Sequence, residues 1–191
     1  MRWNNLPITT RPKFGFSFAR IYQGGVSYTL FASGGTRDAD SKLGVTNAGA
    51  LKFEGYGGHF VGEAGSSLKK IEFDLTKVNP GTALAGNITA YLYTAIDEGD
   101  GFYPDTLLAT SDVIVASSVA TSLAAVPFLF STPYTMSAVD YCAVLRYNGG
   151  DASNYLLVAS DLADVSSGNL SYFNTLWLGD NTVSLVFRCY K

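Results

Sequence analysis

The sequence predicts an all-β fold, an antiparallel two-sheet sandwich of jelly-roll type with an extended N-terminal arm. Three observations carry this. Short apolar-alternating runs recur every ten to fifteen residues, the spacing of sandwich strands. Turn signals separate them: "NPG" at 79–81, "DEGDG" at 97–101, "NGGD" at 148–151, "SSGN" at 166–169 and "GDN" at 179–181. Finally, no stretch of ten or more residues carries a helical period. The best helix candidate, "SSVATSLAAV", is short and β-branched and makes one turn at most.

Taken in order, "FGFSFARIY" alternates Phe14, Phe16 and Phe18 with small residues. "KIEFDL" sets Ile71, Phe73 and Leu75 against Lys70, Glu72 and Asp74, a half-buried strand. "NITAYLYTA" places Ile88, Ala90 and Leu92 on one face and Tyr91 and Tyr93 on the other. "VPFLF" offers Val126, Phe128 and Phe130 to the core. In "YCAVLRY", Arg146 marks the water side, which Cys142 and Val144 share, while Tyr141, Ala143 and Leu145 point inward. "NYLLVAS", "YFNTLWL" and "TVSLVFRCY" complete a set of about eight strands, with "YCAVLRY" and "NYLLVAS" joined as a hairpin by "NGGDASN". In the last, Arg188 faces out, so Leu185, Phe187 and Cys189 point inward. Alternation thus sends the two cysteines to opposite faces, and free thiols are expected, as in a reducing compartment of synthesis.

The chain has 191 residues, 47% hydrophobic and 15% charged, with 12 Tyr, 12 Phe and 20 Gly. That supports one well-buried core and excludes a largely disordered chain. No apolar run approaches the roughly 18 residues of a membrane span, so no membrane partner is expected. "MRWNNLPITTRPK" has basic residues without an apolar stretch behind them and does not read as a secretory signal. Charge is unevenly divided. Residues 1–37 hold five basic residues (Arg2, Arg11, Lys13, Arg20 and Arg37) and no acid, whereas the remainder holds 8 basic and 16 acidic residues. Residues 1–50 therefore read as a basic, Phe- and Gly-rich arm, with "ASGGTRDADSKLG" as a flexible connection, and 51–191 as the sandwich. Five charges over 37 residues make too thin a patch for nucleic acid, whereas a basic arm suits an acidic body, its own or a neighbour's.

Catalytic constellations are missing. His59 is the single histidine, with no nucleophile motif beside it, and one His with two separated Cys makes no zinc set. No phosphate loop opens a helix. The acids Asp97, Glu98, Asp100, Asp105, Asp161 and Asp164 lie in polar turns, where solubility and local hydrogen bonds explain them better than a glycosidase pair. Asp97, Asp100 and Asp105 form a weak calcium candidate without the D-x-D-x-D-G spacing. No enzyme activity and no cofactor are expected. For glycan binding the candidates are the aromatics Tyr91, Tyr93, Tyr172 and Trp177 with Asn148, Asp151 and Asn154. A plainer reading has the outward tyrosines covering the second sheet or meeting a neighbour.

The motifs "P-x-x-x-L-A-T-S" (Pro104 to Ser111), "F-x-F-S-x-P" (Phe128 to Pro133), "Y-x-x-V-L-x-Y-x-G-G-D-x-x-N-Y" (Tyr141 to Tyr155) and a closing "F-x-x-Y" (Phe187 to Tyr190) occur in this order. Across residues 57–190 the chain resembles a β-sandwich module of phage structural proteins and bacterial surface proteins, related in shape to carbohydrate-binding modules. The match departs at "LLVASD", where that module carries a Trp. The resemblance, with the basic arm, implies a non-enzymatic phage virion protein, a capsid decoration or tail-associated component. Its partners would be other virion proteins and copies of itself, and Arg2, Trp3, Arg11, Lys13, Phe14, Phe16, Phe18 and Arg20 would form the subunit contact. The alternative is a secreted or cell-surface carbohydrate-binding module docking a surface glycan.

Overall fold

The computed structural model describes residues 27–44, 54–78, 84–99, 101–162, 170–174, 176–180 and 184–191. The arm residues Arg2 to Arg20, the strand expected at "FGFSFARIY", Asp100 and Asp164 lie outside the described residues.

The chain begins at one edge of a first sheet with β1 (Leu30–Gly34) and β2 (Ala39–Leu43). β3 (Gly55–Val61) belongs to a second sheet, and β4 (Ser67–Lys77) returns to the first. A β5 (Asn87–Asp97) and β6 (Phe102–Thr110) hairpin follows in the second sheet, where the short β7 (Ile114–Val115) pairs beside it. After one 3-10 turn at Ala116–Ser118, β8 (Ala124–Thr135) lies in the first sheet, β9 (Asp140–Tyr147) in the second and β10 (Leu156–Asp161) in the first. β11 (Leu170–Asn174) and β12 (Leu176–Asp180) pair in the second, and β13 (Ser184–Leu185) and β14 (Phe187–Tyr190) close in the first. Every pairing is antiparallel, and the repeated crossing between sheets is of jelly-roll type.

Alternation decides the core. Ile71, Phe73 and Leu75 of β4, Ile88, Ala90 and Leu92 of β5 and Phe128 of β8 are fully buried, as their period-two spacing predicts. Aromatic rings bridge the layers: Phe73 meets Phe128 edge-on with centroids 5.7 Å apart, and Phe60 meets Phe187 at the same separation. Each such ring contributes roughly 1.5–3 kcal/mol by leaving water. Phe187 fits because both sheets give it glycine. A Cβ on Gly34 would stand 2.4 Å from its ring, and one on Gly58 2.6 Å.

Four sequence expectations change. "ASGGTRDADSKLG" is no free connection: β1 pairs with β14 and β2 with β10, so these arm-side strands complete the first sheet. "YFNTLWL" is not one strand but is divided between β11 and β12, which pair with each other with Asn174 opposite Leu176. β9 and β10 are not a hairpin. β9 pairs with β3 and β5, β10 with β2, β4 and β13, so "NGGDASN" carries the chain from one sheet to the other. Gly149 and Gly150 permit this by close approach: a Cβ on Gly149 would meet the Ala85 carbonyl oxygen at 2.0 Å, and one on Gly150 that of Gly44 at 2.6 Å.

The fourth change concerns Cys142 and Val144. They do occupy the non-core face of β9, opposite His59 and Gly57 on one side and Tyr93 and Tyr91 on the other, yet both are buried. The second sheet curls about that face, bringing its edge strands β6 and β12 together and laying β6 over β3 and β9. Two irregularities in the β5–β6 register, at Leu92/Tyr93 and Tyr93/Ala95, supply the bend.

Candidate functional site

The outer face of the second sheet gathers several of the sequence-predicted residues. Period two along β5 places Asn87, Thr89, Tyr91 and Tyr93 on one side, and the register sets Thr89 beside Arg146 and Tyr91 beside Val144. The Tyr91 and Tyr93 rings are half-buried, with centroids 6.3 Å apart. Burial pushes the Tyr93 phenol above its ordinary value, opposed in part by the Arg146 cation. On the far side of Arg146 stands Gly55, and beyond it Phe173 and Trp177 continue the same row of the ladder. Trp177 is half-buried.

At the β9 end of this face is a hollow of about 270 Å³ lined by Glu54, Asn87, Thr89, Tyr91, Arg146, Tyr147 and Asn148. It brings together Tyr91 and Asn148, two of the expected ligand residues, with Glu54, Asn87, Thr89, Arg146 and Tyr147, none of which the sequence reading named as a ligand residue. Asn87 and Thr89 were legible from the alternation that identified Tyr91. Glu54 was not, because its place beside Arg146 depends on β3 pairing with β9. The Glu54 carboxylate stands 3.8 Å from the Arg146 guanidinium, a loose pair with both side chains about a third exposed.

The remaining candidates lie apart. Asp151 and Asn154 form a local cap: Asp151 Oδ1 accepts from the amides of Ser153 and Asn154 at 2.7 and 2.8 Å, and the Asn154 side chain donates back to both its oxygens. Tyr172 takes the register position opposite Tyr56, a core residue. At the β5–β6 turn, Asp97 Oδ1 accepts from the Gly99 amide, while Asp105 is held by the hydroxyls of Thr94 and Thr106. The two carboxylates thus serve different local bonds.

Groups with intrinsic reactivity are committed to structure. His59 Nε2 is 2.8 Å from Asp140 Oδ1, and its ring stacks on Phe102. Both cysteines are free and buried; burial pushes the Cys142 thiol up to about 12 and also raises Cys189. Asp161, read from sequence as a turn acid, is buried at the end of β10 and accepts from the Thr36 amide at 2.5 Å, tying the β1–β2 junction down. Among the described residues, no three His, Cys, Asp or Glu side chains are grouped to hold a metal ion. In comparison with known proteins, the chain matches no family model, no curated protein and no solved structure.

Proposed function

We propose that this chain is a non-enzymatic phage virion component, a capsid decoration or tail-associated protein, whose arm engages neighbouring copies or other virion proteins while the sandwich faces solvent. The observation that carries the reading is the partition of charge: residues 1–37 contain five basic side chains and no acid, against a balance of −8 over residues 38–191. The position of β1 in the first sheet supports it. Residues 27–29 lead into β1 at the outer row of the first sheet, and the Thr29 amide and carbonyl bond Lys191. An outer strand offers backbone groups to which an added strand can pair, and such pairing supplies affinity. The resemblance to phage structural modules favours the same reading.

The test is the mass in solution of the full chain against a chain lacking residues 1–26, measured by light scattering over a range of concentrations and salt. The cut falls before Ser27 because β1 and β2 belong to the sheet. We expect the full chain to self-associate in a salt-sensitive way and the shortened chain to be a folded monomer. Equal monomers under all conditions would remove the assembly role of the arm.

A further inference from the structure

The hollow beside Arg146 has a composition that selects a ligand class. Its walls are predominantly polar, which disfavours an apolar ligand. They carry one cation, Arg146, and one anion, Glu54, 3.8 Å apart, so the lining has no net charge to draw an ion, and an anionic ligand would have to displace Glu54. What remains is a set of directional donors and acceptors beside the Tyr91 ring: the amides of Asn87 and Asn148, the Thr89 hydroxyl, the guanidinium and the carboxylate, with Tyr147 also in the lining. The volume, about 270 Å³, lies just under the roughly 300–1,000 Å³ of enclosed small-molecule pockets.

We propose that this hollow binds one neutral sugar ring, with Tyr91 against its apolar C–H face and Arg146, Glu54, Asn87 and Asn148 bonding its hydroxyls. A pyranose has the amphipathic division the hollow asks for, a ring face without hydroxyls and a rim dense with them. A guanidinium with five N–H donors can hold Glu54 and a hydroxyl together. The small size limits the site to one ring, held end-on, and not a long stretch of chain. Asn87, Thr89 and Tyr91 come from one strand and Arg146 from its neighbour, so the ladder fixes their spacing before any ligand arrives. The site stands independently of the arm and holds whether or not the arm drives association.

The experiment is an amide-resolved NMR titration of the full chain with the methyl glycosides of glucose, galactose and mannose and with N-acetylglucosamine, with glucuronate as the anionic control. We expect at least one neutral sugar to shift the amides of Thr89, Tyr91, Arg146 and Asn148 saturably. Tyr91→Ala and Asn148→Ala should each weaken that binding about tenfold or more, and Asp105→Ala, at the other end of the β5–β6 hairpin, should leave it unchanged. Asn148 is exposed in a loop, so its variant remains informative if Tyr91→Ala fails to fold. Three results overturn the proposal: no neutral sugar shifts these amides, glucuronate binds more tightly than every neutral sugar, or the shifts centre on Asp151 and Asn154 and survive both substitutions.

Discussion

The ring of His59 lies flat against that of Phe102, with centroids 3.6 Å apart and planes 8° from parallel. This contact joins the first residue of β6 to the middle of β3 across the outer face of the second sheet. Beneath it the Cys142 thiol lies 3.9 Å from the Phe102 carbonyl oxygen, a weak hydrogen bond in which the thiol donates. The only histidine of the chain thus closes a small satellite of the core, with Asp140 holding its Nε2.

Cys142 should therefore report on that closure. In the intact protein neither thiol should react with a disulfide reagent at pH 8, because both are buried and held protonated. Phe102→Ala should make Cys142 react at least about tenfold faster and leave Cys189 protected in the core. Equal acceleration of both thiols would mean that the variant loosens the whole sandwich and that Phe102 is no local cover.

A second expectation concerns acid. On the outer face of the first sheet, burial disfavours the charge of Glu72, yet hydrogen bonds from Lys70, Tyr190 and Arg188 outweigh it and hold the carboxyl below its ordinary 4.5. Two of these bonds are 2.7 Å long, and Arg188 also pairs with Asp74. A carboxyl whose folded pKa is depressed lends stability that is fully present above its unfolded value and is lost as the pH falls through the folded one. Urea midpoints should therefore fall as the pH drops below about 4.5, and Glu72→Gln should flatten that fall while lowering stability at pH 7 by about 1–3 kcal/mol. An unchanged pH profile in Glu72→Gln would assign the acid sensitivity elsewhere.

The seat of Phe187 allows a sharper test by double-mutant cycle. Gly58→Ala should destabilise by about 1–3 kcal/mol through overpacking against the ring. In a Phe187→Leu background the same change should be milder by about 1 kcal/mol, since the atoms it strikes, Cδ1 and Cε1, belong to the ring. Additive penalties in chemical denaturation would mean the glycine serves its backbone and not the phenylalanine.

What could be read from the sequence was whatever alternation encodes locally. Side chains two apart share a face of any strand, so the inward sets of β4, β5 and β8 and the common face of Tyr91 and Tyr93 followed from spacing alone. The opposite orientation of the two cysteines followed in the same way.

Tertiary structure decided which strands are neighbours and which faces are covered. "NGGDASN" has the composition of a hairpin turn, but Gly149 and Gly150 pass so close to the backbone at Ala85 and Gly44 that the loop crosses between layers. Residues 32–44 look like a linker because Gly and Asp abound, yet β14 and β10 offer them open edges, and backbone pairing is largely indifferent to such side chains. Cys142 and Val144 sit on the face that alternation assigned to water and are buried there, because register irregularities in β5 and β6 bend a distant edge over them. The hollow of Glu54, Asn87, Tyr91, Arg146 and Asn148 arises likewise. Its residues are up to 94 positions apart, and only the β3–β9–β5 ladder brings them together.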